Sequence, residues 1–325
     1  MAHELHFDRA SKKYSFAYFQ KPGWHLLGQE LSENATIETW KTEAGLDWEV
    51  FESSAMFQSA QGNHIIPDKR VLFRSDTNEP LSIVSDGYHV VQPGQVLEFF
   101  RDVVQIHGFK LSAAGALFGG KRFWATAEVG KDFKAVDNDQ IGGQLLLTTS
   151  VDGTIATQAK FVSTRVVCNN TLTIALGENS RNSVRQTHSS AWDASKFKID
   201  LGLMDAGWSK FEKNIKRLTE IQTSDAFARR FFENQFFDED LEADAQGIGA
   251  IRKVNTLMDL YKNGTGSEYS KGTAYGILNA TTELFTFGIS SGKRDPSYQF
   301  WNSQFGDDDK TKTKVYNELL DTIGA

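Results

Sequence analysis

Two short runs in this chain of 325 residues set cations beside aromatic rings. Lys121, Arg122 and Trp124, with Phe123 between them, stand just past the Gly119-Gly120 pair. Lys160 and Arg165 lie on an alternating run rich in β-branched residues. Arg181 and Arg185 follow, in a polar segment of Ser, Thr and Asn spanning 178–200. Cations neutralise phosphates, and aromatic faces stack on bases at about 1–3 kcal/mol each. The set therefore fits a single-stranded nucleic acid. Strand parity divides it, because Lys160 and Arg165 share a face only if a bulge intervenes.

Residues for catalysis are sparser. Asp86 and His89 stand three apart near a strand turn, a pairing that can set up a general base. Neither a nucleophile nor a metal partner accompanies them, so a structural pair is expected. Cys168 is the single cysteine. As a nucleophile it would need a neighbouring base to lower its pKa, and cysteine is also a common buried residue. The seven histidines are scattered without ligand spacing. There is no H-x-x-x-H, no G-x-S-x-G and no dinucleotide fingerprint. The Gly-rich segment NGTGSEYSKGTAYG at 263–276 lacks the order of a phosphate loop. No catalytic residue, metal or cofactor is expected.

The element that must position the cations runs from Gly142 to Gly177. Asp152-Gly153 separates two β-favouring runs and predicts a tight hairpin. Asn169-Asn170 then predicts a helix start, with Leu172, Ala175 and Leu176 as its apolar stripe and Gly177 as its end. Upstream, Pro93 opens a helix carrying Val96, Phe99, Phe100, Val103 and Val104, and Gly108 closes it. A second hairpin turns at Gly119-Gly120, and 131–141 reads as a polar connection. Residues 93–200 thus read as a helix-hairpin-hairpin-helix core.

Residues 1–92 read as an N-terminal antiparallel β region, with Trp48, Val50, Leu72, Ile83 and Val90 as its core. A short helix over Thr36–Ala44 precedes these strands. Residues 201–325 read as a helical region. Trp208, Phe211, Ile215 and Leu218 form an apolar stripe there, with lysines interleaved. Residues 288–306 read as irregular. The predicted class is α+β, an antiparallel sheet of successive hairpins with helices packed on one face and the other open.

Composition bounds the rest. A 40% hydrophobic content describes a globular chain with a real core. No apolar run reaches the roughly 20 residues of a membrane helix, and the N-terminus lacks a signal-peptide core. A cytoplasmic protein without membrane contact is expected. Net charge is −7, yet Arg101–Arg217 holds 16 Lys and Arg against 11 Asp and Glu, and the remainder 19 against 31. A basic middle between acidic flanks is compatible with a polyanion site.

RVVCNNTL at 165–172, PGWHLLG at 22–28, SIVSDGYHVVQP at 82–93, GALFGGKRFWATAEV at 115–129 and GTAYGILNATTEL at 272–284 together resemble the phage/plasmid-like protein family built on domain of unknown function 932. The resemblance implies a mobile-element setting and no settled activity. The element order of 109–177 also looks like the sheet-and-helix core of Rad-type single-strand annealing proteins, a likeness of order alone. The expected function is DNA metabolism by non-catalytic binding of single-stranded nucleic acid, as a homo-oligomer. The alternative is an assembly factor acting on a host defence or replication protein.

Overall fold

The computed structural model describes residues 7–8, 12–20, 28–165, 171–174, 183–193, 204–242, 245–288 and 296–324. β1 (Phe7–Asp8) and β2 (Lys13–Tyr14) pair as a small ribbon. β3 (Phe16–Phe19) and β4 (Gln29–Leu31) are short. β5 (Val50–Ser59), β6 (Gly62–Arg74) and β7 (Pro80–Ser85) form a three-stranded antiparallel sheet in that order. The central sheet adds β8 (Lys110–Leu117), β9 (Arg122–Val136), β10 (Asp139–Ser150), β11 (Thr157–Arg165), β12 (Thr171–Thr173) and β13 (Val184–Gln186). Its order is β12-β11-β10-β9-β8-β3-β4, with β13 also on β11. Every pairing is antiparallel except β3 with β4.

Helix α1 (Ile37–Glu43) starts where the Thr36 hydroxyl accepts from the Thr39 amide. Helix α2 (Pro93–His107) precedes the meander. After it come α3 (Met204–Glu220), α4 (Asp225–Phe236), α5 (Ile248–Asn263), α6 (Ala274–Phe287), α7 (Pro296–Phe305) and α8 (Asp307–Thr322). The α+β class is as expected, and so are α1, α2 and α3; at the start of α4 the Ser224 hydroxyl accepts from the Phe227 amide.

The main core lies on one face of the central sheet. Phe161 of β11 and Phe133 of β9 meet Trp208 of α3 at 5.5 and 5.4 Å. Trp208, Phe211, Ile215 and Leu218, the predicted stripe, are all buried. Each such side chain contributes about 1.5–3 kcal/mol on burial. α6 is buried along nearly its whole length, so it is the central rod of the helical layer. The same core takes in Trp40, Trp48, Val50 and Leu72 from the first ninety residues, and β3 extends the central sheet through β8.

Four expectations are corrected. Residues 171–173 are a strand paired with β11, not a helix; Asn169, Asn170 and 175–177 lie outside the described residues. The Asp152-Gly153 pair sits in a loop over 151–156, where the Asp152 carboxylate accepts from the Thr154 amide and hydroxyl. That Asx turn replaces a two-residue hairpin. Residues 131–141 are mostly ladder, since β9 and β10 continue to Val136 and Asp139. Ile83 is exposed rather than core, because it faces away from the helices, and Val90 is half-buried.

Candidate binding face of the central sheet

Ladder pairing decides which side chains share a face. Trp124 pairs with Thr148, Thr148 with Gln158, and Gln158 with Arg185. Thr126 pairs with Leu146 and Leu146 with Lys160. Directly paired residues project to the same side. Arg122, Trp124, Lys160 and Arg185 therefore lie on one face, opposite the main core. Arg165 lies on the other face, since β11 pairs with β10 without a bulge.

The expected open face is covered. α7, from the segment predicted to be irregular, lies across it. Trp124 is buried against Phe300 of α7 at 4.4 Å and against Phe16 at 5.8 Å. Lys160 is buried too; its ammonium donates to the Gln304 carbonyl at 2.9 Å and to the Asp309 carboxylate at 2.5 Å. Asp309 accepts in addition from the Thr173 hydroxyl at 2.7 Å. Arg122 sits over the Trp301 ring at 4.1 Å and donates to the Thr154 hydroxyl at 3.0 Å. Burial lowers its pKa, and Asp152 at 4.0 Å opposes that shift.

On the core face Arg165 is held by Asp139, with Nε–O distances of 2.7 and 2.8 Å. It also donates to the carbonyls of Thr265 and Gly266 at 3.1 and 2.8 Å. The Gly-rich loop is thus a clamp for this guanidinium. Lys160 and Arg165 cannot reach a strand of nucleic acid in this conformation, the Trp124 ring is not open for stacking on one, and Arg122 is largely engaged. Lys121 and Arg185 remain exposed. Arg181 and Cys168 lie outside the described residues.

The predicted Asp86–His89 pair does not close. Asp86 faces Arg70 at 3.7 Å, and both are near the surface. His188 is the better-placed histidine, stacked on Tyr88 at 4.5 Å with its nitrogens 3.0 and 3.1 Å from the carbonyls of His89 and Ile155. Burial lowers its pKa, against those carbonyls and Asp152. Among the described residues, no three His, Cys, Asp or Glu side chains come together as a metal site. No helix among them is long and apolar enough to cross a membrane.

Where α7 stops covering the sheet, a groove of about 390 Å³ remains. Trp124, Gln144, Leu146 and Thr164 line its sheet side; Phe300 and Gln304 line its helix side. Exposed Glu128 and Asp132 and half-buried Lys131 stand along it. Two buried polar atoms of its lining, Trp124 Nε1 and Thr164 Oγ1, have no hydrogen-bond partner. An unsatisfied buried donor costs about 1–3 kcal/mol. Sequence reading found Trp124 but not Thr164, Gln144 or Phe300, which only the sheet register and α7 bring to it.

The family model described as a domain of unknown function, DUF932, matches residues 80–299, about two-thirds of the chain. The chain belongs to this family. No curated protein and no solved structure matches it. The family span takes in α2, the strands from β7 to β13 and most of the helical layer. It leaves out β5, β6 and α8. Asp309 and Gln304, which hold Lys160, thus lie beyond the family match while the lysine lies within it.

The sheet β5–β7 presents a second surface. Phe51, Phe73, Val71 and Ile83 share its outer face by direct pairing of Phe51 with Phe73 and of Val71 with Ile83. Beyond the bulge after Ser54 the β5–β6 arm carries Met56, Phe57 and Ile65. All three are exposed, at 59%, 53% and 65%.

Proposed function

We propose that this DUF932 protein works by binding rather than catalysis and assembles with copies of itself through the sheet β5–β7. One observation carries this reading. Five of the nine large hydrophobic side chains exposed among the described residues (Phe51, Met56, Phe57, Ile65 and Ile83) belong to that sheet. Apolar surface concentrated in this way marks an interaction site, and homomeric interfaces are the more apolar kind. The outer edge of β5 pairs with no strand among the described residues. An unpaired edge is a template for another strand, and a twofold axis beside it pairs a strand antiparallel with its own copy. Light scattering after size exclusion is expected to give a dimer or larger assembly. Phe51→Ser with Ile83→Ser is expected to yield a folded monomer. A wild-type monomer at every concentration tested would sink the reading.

A second reading, single-stranded nucleic acid in a mobile-element setting, is favoured by one observation. Exposed Lys121 and Arg185 lie at the same end of the central sheet, near Arg122. Fluorescence anisotropy with a labelled oligonucleotide tests it. Lys121→Glu with Arg185→Glu should weaken binding and flatten the dependence of log K on log salt by about 1.4, two single-strand phosphate contacts at ~0.7 each. Binding with unchanged slope would remove those residues, and a host protein partner becomes the reading to pursue.

A further inference from the structure

We infer that the groove between the central sheet and α7 is a binding site for an uncharged, flat heteroaromatic ring that carries a carbonyl, the chemistry of a nucleobase. The inference does not depend on self-association. Trp124 and Thr164 line the groove, and each holds a buried polar atom without a partner. Trp124 is 97% buried, being 3% exposed, so water does not satisfy its indole from bulk solvent. An indole N–H can only donate, so it calls for an acceptor; a threonine hydroxyl gives or takes. A ring carbonyl beside a ring N–H answers both. Gln144, on the same lining, offers an amide that also gives and takes.

The remaining lining fixes the class further. Phe16, Phe19, Phe287 and Phe300 supply aromatic surface for a flat ring. The charged groups along the groove are two carboxylates, Glu128 and Asp132, and one ammonium, Lys131. That balance opposes an anion, and an indole N–H that can only donate does not favour a cation. A volume of about 390 Å³ falls in the range of small-molecule sites.

A nucleobase can come from a free nucleoside or from a base within a single strand, and calorimetry on the full chain separates the two. Guanosine, uridine and thymidine carry a ring carbonyl beside a ring N–H; adenosine does not. At least one of the first three should bind saturably at one per chain, more tightly than adenosine. Its 5′-monophosphate should bind less tightly than the nucleoside, because the carboxylates oppose phosphate. Trp124→Phe and Thr164→Val should each weaken binding about tenfold, the size of one neutral hydrogen bond. Thr164→Val is close to isosteric and carries the test alone if Trp124→Phe does not fold. If nucleosides fail and an oligothymidylate binds with the same two losses, the base is taken from a strand and the site stands. Failure of both ligand classes to bind overturns the inference. So does binding that both variants retain in full.

Discussion

Arg165→Ala should unfold this protein more readily than any surface change, lowering its stability by about 3–5 kcal/mol. The reason is what the arginine leaves behind. Asp139 is fully buried, and its carboxylate is held by the Arg165 guanidinium. Without that cation, a charge stays in the interior. The carbonyls of Thr265 and Gly266 lose their donors as well. Urea unfolding followed by circular dichroism measures the loss. The double variant Arg165→Met with Asp139→Leu should recover part of it, since an apolar pair replaces a buried ion pair at little cost. It should not recover all, because the two loop carbonyls remain without their donors. A loss below about 1 kcal/mol in the single variant, the range of an exposed pair, would refute this account.

The second large effect depends on pH. Lys312 of α8 is fully buried and donates to the hydroxyls of Thr171 and Thr286 at 3.1 and 3.5 Å. Burial pushes its pKa from 10.5 down to about 8; Asp309 opposes the shift, and neighbouring Lys160 adds to it. The folded state therefore releases the lysine's proton more easily than the unfolded chain. Between pH 8 and 10.5 the unfolded state binds more protons, so stability rises with pH across that window. The rise attributable to Lys312 is about 3 kcal/mol, at ~1.4 kcal/mol per pKa unit. Below pH 8 the penalty is present in full. Lys312→Met should remove this slope and be the more stable protein at pH 7, by about 2–3 kcal/mol after the loss of its hydrogen bonds. Urea unfolding of both proteins across pH 7–11 gives the difference. Parallel curves would show that Lys312 stays charged when folded.

Local pattern revealed most elements, and long-range pairing decided the site. The stripe of α3 and the caps of α1 and α4 depend on residues three or four apart, which a sequence displays directly. The fate of Lys160 depends on Asp309, 149 positions away. Nothing near Lys160 announces that partner, so an alternating strand with a lysine reads as half-exposed. α7 was hidden for a related reason. PSYQFWNSQF has mixed polarity and no clean stripe, yet Phe300 finds Trp124 once the sheet exists. Covering the face with α7 turned two of the predicted contact residues, Trp124 and Lys160, into interior ones. Ile83 failed in the opposite sense: its alternation was correct, but alternation does not say which face is wet. Parity did separate Lys160 from Arg165.

The clamp on β11 has a consequence for how the chain is made. Arg165 follows its carboxylate, Asp139, by 26 positions, but the loop carbonyls that complete its clamp and the carboxylate that neutralises Lys160 come much later. The carbonyls of Thr265 and Gly266 follow Arg165 by 100 and 101 positions, and Asp309 follows Lys160 by 149. At about 5–20 residues per second, roughly 7–30 s separate Lys160 from its carboxylate on the ribosome. Throughout that interval the sheet cannot close over the Lys160 ammonium. The nascent sheet must wait with one face wet, and the last helix to emerge seals it.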